Sequence, residues 1–322
     1  MRVLVPLYVY PLKDGCLAPE WQQMKEAREA GVPVVAIANP GSGPGTEGDR
    51  LSYDKGMQAL HDSGVEVIGY VASGYGQRNE DQVTADISQY KDWYGRWLSG
   101  IFLDEASNVA DNINDGDRVN CVKYKGYREH VQRQFGETAT VVMNTGAMST
   151  EAALIDAVGP GVVWNVLEDN RDSLEKRYGK VKVPRSSSLV NSSGSGSRRS
   201  SRNLSRGKNG SLGGGKQWKT VEGTPPGAPV HVKGRAAFMV HGATGISFEE
   251  ICHWVCQLHD GGWSYAYITD KVFDPESSNT ELHNPWDATP TYWEDFVTAV
   301  GEINRLTGIE DDADTTSTSM SS

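Results

Sequence analysis

Basic residues, cysteines and long apolar runs are all scarce in this sequence. Across 322 residues, 31 Lys and Arg face 42 Asp and Glu, a formal net charge of −11. That balance leaves no chain-wide footprint for nucleic acid, and no nucleic-acid partner is expected. No run approaches the roughly 18 apolar residues of a membrane-spanning helix, so no transmembrane segment is expected. The start, Met1-Arg2-Val3-Leu4-Val5-Pro6-Leu7-Tyr8-Val9-Tyr10-Pro11, carries a short β-branched and aromatic stretch with no small-residue cleavage site. It does not read as a secretory signal, and a cytoplasmic location follows if this start is genuine.

The four cysteines are Cys16, Cys121, Cys252 and Cys256. Cys252 and Cys256 stand at i and i+4, but no second paired cluster supplies the other ligands a zinc site needs. All four read as buried apolar side chains. The run Asp111-Asn112-Ile113-Asn114-Asp115-Gly116-Asp117 has the look of a calcium loop, but Ile113 occupies a ligand position and no Glu stands at the twelfth place. The Gly-rich stretch Asn39-Pro40-Gly41-Ser42-Gly43-Pro44-Gly45 fails as a dinucleotide site, because Pro44 interrupts it and no helix opens there. No metal and no cofactor is expected.

What is present is a rhythm. Short β-branched runs alternate with amphipathic stretches. Strands are expected at 3–9, 33–38, 66–72, 100–104, 139–144, 162–167, 236–240 and 264–269. Helices are expected at 21–30, 52–62, 80–97, 124–135, 150–157, 172–178, 248–258 and 292–306. Alternation implies a parallel sheet with right-handed crossovers. Eight repeats point to a single α/β domain, a (β/α)8 TIM barrel.

One segment breaks the rhythm. Residues 185–235 are rich in Ser, Gly and Arg and hold ten basic residues against one acid, Glu222. Its net charge of +9 leaves −20 for the rest of the chain. It has too few apolar residues to bury a core and reads as a disordered basic insertion between strands six and seven. Three N-x-Ser sequons, at Asn191, Asn203 and Asn209, fall inside it. The barrel is then 1–184 and 236–308, followed by a disordered acidic and Ser/Thr-rich tail, 309–322.

In such a barrel chemistry sits at the C-terminal ends of the strands. Those ends carry Tyr8 and Tyr10, Asn39, Tyr70, Asp104-Glu105, Asn144, Glu168-Asp169, His241 and Thr269-Asp270. No Lys stands there to form a Schiff base, and His241 is the sole histidine. Paired carboxylates with amides and phenols suit sugar chemistry: the acids do acid, base or nucleophile work and the others hold hydroxyls. Nine Trp and thirteen Tyr supply faces on which sugar C–H groups stack, Trp286 of Asn284-Pro285-Trp286 among them. Asp104 and Glu105 are adjacent, so a regular strand aims only one of them inward. Glu168 shares a face with Trp164 and Val166. With Asn165 inward, Glu168 turns outward unless the strand ends or bulges first. If it does turn outward, Asp270 is the alternative partner.

As a set, Val5-Pro6-Leu7-Tyr8-Val9-Tyr10-Pro11, the 39–45 loop, Gly69-Tyr70-Val71, Gly100-Ile101-Phe102-Leu103-Asp104-Glu105 and Asn284-Pro285-Trp286 resemble the spherulation-specific family 4, the spherulin 4-like proteins. The resemblance runs in register from Val3 to about Ile303, apart from the insertion. It implies a (β/α)8 fold and kinship with fungal endo-α-1,4-N-acetylgalactosaminidases of glycoside hydrolase family 135, which cut galactosaminogalactan. It implies Asp104, Glu105 and Glu168 as the active-site carboxylates. It also implies an exported, cell-surface setting. The family tends to have Asn-Pro-Gly after strand five, where this chain has Asn144-Thr145-Gly146. The expectation is a monomeric glycosidase on an amino-sugar polysaccharide, with Tyr8, Tyr10, Asn39, Tyr70, Asn144, Tyr267 and Trp286 binding sugar. The alternative is a non-catalytic surface or sporulation protein that keeps the barrel and the aromatic groove.

Overall fold

Runs of Val, Ile and Ala form strands because branched side chains pack well on a pleated surface. The structure, a computed structural model, describes residues 1–110, 112–113, 117–178, 225–274, 276–277 and 284–308. Among them are β1 (Arg2–Leu7), β2 (Val34–Ala38), β3 (Glu66–Ala72), β4 (Gly100–Asp104), β5 (Thr140–Asn144), β6 (Val162–Asn170), β7 (Ala236–His241) and β8 (Tyr265–Ile268). The helices that follow them are α1 (Pro19–Glu29), α2 (Glu47–His61), α3 (Glu80–Tyr94), α4 (Val119–Phe135), α5 (Ala152–Val158), α6 (Arg171–Tyr178), α7 (Phe248–Asp260) and α8 (Trp293–Thr307). The strands pair in parallel in chain order and β8 closes on β1. The chain is a (β/α)8 barrel. Strand β2, Val-Val-Ala-Ile-Ala, is buried at every position, as a parallel strand covered on both faces must be.

Helix boundaries follow capping chemistry more than apolar period. Helix α2 starts at Glu47, five residues before the periodic stretch, because Glu47 and Asp49 suit the positive helix N-terminus but carry no apolar signal. Helix α7 opens on a capping box of Ser247 and Glu250. Its buried face is Ile251, Trp254, Val255 and Leu258, so Cys256, one position past Val255, is turned to solvent. Of the four cysteines only Cys121 is buried; Cys252 is half-buried, and Cys16 and Cys256 are exposed. That corrects the reading of all four as core residues.

Register determines which side chains enter the barrel. Ala72 pairs with Asp104, and Asn144 with Asn165. At Gly100 a Cβ would lie 1.8 Å from the Thr140 carbonyl oxygen, so β4 and β5 approach too closely there for any side chain. At the N-terminal end of the barrel Arg2 pairs with Glu66, which also accepts from the Thr140 hydroxyl. These three come from alternate strands, as barrel layers do, and they close the floor opposite the strand ends that matter below.

Residues 225–235, grouped by composition with the basic insertion, pack on the barrel. Val232 is buried, and the Trp263 indole donates to the Pro226 carbonyl at 2.8 Å. Residues 185–224 with their sequons, the 309–322 tail, and Asp111 and 114–116 of the calcium-like run lie outside the described residues. No described helix is long and apolar enough to cross a membrane.

Candidate active site

The ends of β3 to β8 surround an open cleft of about 680 Å³. Asp104, the last residue of β4, points into it with both carboxylate oxygens engaged. The Tyr70 hydroxyl donates to Oδ2 at 2.6 Å, and Asn144 Nδ2 donates to Oδ1 at 2.7 Å. Asn144 Nδ2 also donates to Glu168 Oε2 at 2.6 Å. One amide nitrogen therefore holds both carboxylates. Their bonded oxygens cannot lie farther apart than those two bonds laid end to end, about 5.3 Å.

The orientation of Asn144 is fixed from its other side. Its Oδ1 accepts from Gly146 N at 3.1 Å, and the Asn165 amide packs beside it. Gly146 N keeps the oxygen toward the loop, which leaves the nitrogen facing the two carboxylates. The loop beyond it is tied in the same way: Thr145 N and Gly146 N both donate to the Asn165 carbonyl, at 3.1 and 3.0 Å. A proline at 145 would lack the first of these bonds.

Glu168 reaches the cleft because β6 bulges. The β6–β7 register runs Asn165 to Ala237, then Leu167 to Phe238, leaving Val166 as an extra residue. The bulge resets the alternation. Asn165 and Glu168 both face inward, and Asp270 is not needed as a partner. Asp270 instead accepts from the Thr291 backbone and hydroxyl, at 3.0 and 2.7 Å. Burial, reinforced by the charge of Asp104, pushes the Glu168 carboxyl up to about 7; the Asn144 hydrogen bond pulls the other way.

Glu105 enters by a different device. It adopts φ 50, the left-handed region, so the chain leaves the extended path directly after Asp104. Both adjacent carboxylates then line the cleft. Buried Ser73 secures the turn: its hydroxyl lies 3.0 Å from the Asp104 carbonyl and 2.8 Å from the Glu105 carbonyl. Ser73 has one hydroxyl proton and gives it to these carbonyls, so the Tyr124 hydroxyl, 2.9 Å away, is the donor to Ser73 and itself accepts from Ser107 N.

The phenols sit beneath the acids. Tyr8 packs edge-on to Tyr70, with centroids 5.6 Å apart. Burial first, then the charge of Asp104, pushes both phenols well up, so each stays a proton donor. Trp286 lines the cleft and packs against His241 and Tyr267, each at 5.9 Å. Of the seven expected sugar ligands only Asn144 and Trp286 line the cleft; Tyr8 and Tyr70 stand behind the acids, and the other three lie elsewhere. Tyr267 is fully buried, behind Trp286 and Phe296. Tyr10 is exposed and packs on Tyr53. Asn39 has a buried Oδ1 without a partner among the described residues and does not line the cleft.

Sequence reasoning missed several lining residues. Tyr75, Thr145 and Phe273 come from loops that carry no periodicity, and Asn170 ends β6, three residues past the expected end of that strand. The Gly74-Tyr75-Gly76 triplet after β3 was the available signal for Tyr75. His241 lines the cleft as a base held below the usual histidine range by burial. No group of three or more metal-ligating side chains occurs among the described residues.

The model of "Spherulation-specific family 4" matches residues 2–300. Spherulin-4 of Physarum polycephalum is 34% identical over 178 residues, 55% of this chain and 48% of that protein. The match thus spans about half the length of that curated relative. The crystal structure of Aspergillus clavatus Sph3 in complex with GalNAc superposes with a TM-score of 0.63 at 19% identity, covering 93% of this chain and 97% of that one. That likeness is one of fold.

Proposed function

The chain belongs to spherulation-specific family 4, and from that premise we propose that it is a glycoside hydrolase acting on α-1,4-linked N-acetylgalactosamine or galactosamine in an exopolysaccharide. The observation that carries the proposal is the single Asn144 amide held between Asp104 and Glu168. Two carboxyl groups about 5–5.5 Å apart are the mark of retaining glycosidases, whereas inverting enzymes need about 6.5–9.5 Å to admit a water. The upper bound of about 5.3 Å between the bonded oxygens favours retention.

The environments divide the labour. Glu168, pushed up to about 7, keeps its proton near neutrality and gives it to the leaving oxygen. Asp104 accepts at both oxygens and attacks the anomeric carbon, forming a glycosyl-enzyme ester. Glu168, now without its proton, takes one from the incoming water, which cleaves that ester. The rigid Asn144 spares both acids from reorganising between steps. Glu105, on its left-handed turn, supports them from the rim. In this reading the protein works as a monomer at the cell surface and needs no metal or cofactor.

The test is to incubate the protein with galactosaminogalactan, follow oligosaccharide release and record the first-formed anomer by NMR. Release with the α-anomer appearing first is expected. A β-anomer first would break the Asp104–Glu168 pairing. Polymer retention without release would favour the second reading, a non-catalytic carbohydrate-binding protein.

A further inference from the structure

Two aromatic side chains at the cleft rim have no part in the chemistry above. Tyr75 is 61% exposed and Phe273 50%, and both line the cleft. Tyr75 follows β3 and Phe273 follows β8. They stand at the two ends of an arc of six consecutive strand ends. Asp104, Glu105 and Glu168, from β4 and β6, lie inside that arc.

Tyr75 is held where its side chain is disfavoured. It has φ 54 and sits between Gly74 at φ 59 and Gly76 at φ 80. Glycine would occupy the middle position without strain, as it does the two neighbours. The turn is nonetheless pinned on all sides. Tyr75 N donates to the Glu105 carbonyl at 2.6 Å, Lys123 Nζ to the Gly76 carbonyl at 2.8 Å, and Arg78 to the Ala72 carbonyl at 2.9 Å. The ring itself stacks on no other ring among the described residues. Packing therefore gives no account of a tyrosine here, whereas strain kept at a site is a mark of use. Phe273 rests edge-on to His241, centroids 6.4 Å apart, and leaves half its surface to the cleft.

We propose that Tyr75 and Phe273 are sugar-stacking platforms on the two sides of the carboxylates, so that a carbohydrate chain is held across the scissile bond rather than at one end of it. The proposal rests on the glycosidase reading. The negative face of an aromatic ring attracts the C–H face of a sugar. The cleft is open, so a chain can lie through it with both ends in solvent.

The test uses the full chain and α-1,4-linked N-acetylgalactosamine oligosaccharides of graded length, with galactosaminogalactan as the polymer. Tyr75→Ala and Phe273→Ala are each expected to raise KM about ten-fold on oligosaccharides long enough to reach both rims, with kcat within about two-fold. Tyr75→Phe is expected to restore KM. Tyr75→Gly is expected to melt no lower than wild type while losing the same affinity, which separates sugar binding from folding. KM within about two-fold of wild type in both alanine variants would overturn the platforms and leave hydrolysis standing. A wild type that retains polymer without cutting it, with retention lost in Tyr75→Ala, would keep the platforms and remove hydrolysis. A wild type that neither binds nor cuts would overturn both.

Discussion

Replacing Glu168 by Gln keeps its shape and removes its proton chemistry, and the consequence for stability can be worked out in sign and size. Folded Glu168 gives up its proton near pH 7, against about 4.5 when unperturbed. Between those values the unfolded chain loses a proton that the folded chain keeps. Stability then falls as pH rises, by about 1.4 kcal/mol per pH unit. The contribution is fully present below pH 4.5 and gone above pH 7, a loss of about 3 kcal/mol. Gln titrates nowhere in that window. Glu168→Gln should gain on wild type by about 3 kcal/mol between pH 4 and pH 8, with any fixed difference in hydrogen bonding read off at pH 4. In melting temperature the gain is roughly 5 °C for a chain of this size. Thermal or urea unfolding of both proteins at pH 4, 5, 6, 7 and 8 measures it. A difference that stays flat with pH would mean the carboxyl is not buried beside Asp104. A difference that shrinks toward pH 8 would reverse the sign and refute the reasoning. The same variant should lose about 10²- to 10⁴-fold in kcat, as expected for removal of a general acid.

Asn144→Ala frees both carboxylates and removes the hydrogen bond that holds the Glu168 carboxyl down. The basic limb of the kcat/KM profile should move above pH 7, and the rate should fall by about 10²-fold or more. Glu66→Gln acts at the barrel floor, where it weakens the pairing with Arg2. It should cost about 1–3 kcal/mol in urea unfolding and leave kcat/KM unchanged, because the floor is a stability layer. Glu105→Gly relieves a left-handed residue. It should unfold no more easily than wild type, with a gain of up to about 1 kcal/mol, while activity falls.

The barrel could be read from the sequence because strand and helix periods alternate plainly and loops only punctuate them. Helix starts such as Glu47 were missed because capping residues are polar and carry no period. The three carboxylates expected at the active site line one cleft, yet their means of entry was only partly legible. An inward Asn165 argues for an outward Glu168 in any regular strand. The extra residue Val166 reverses that, and a bulge leaves no mark in composition. The left-handed turn at Glu105 is equally silent, since Glu is a poor predictor of positive φ. Tyr267 was expected to bind sugar, but it is buried beneath Trp286 and Phe296. A strand pattern gives direction, and a loop decides what remains open.

Oligosaccharide release from galactosaminogalactan by wild type, Asp104→Asn and Glu168→Gln, each first shown to be folded, bears most directly on the proposal that these two carboxyl groups do the chemistry. Release by wild type and a loss of at least about 10²-fold in each variant is the expected result. Undiminished release by both variants would contradict it.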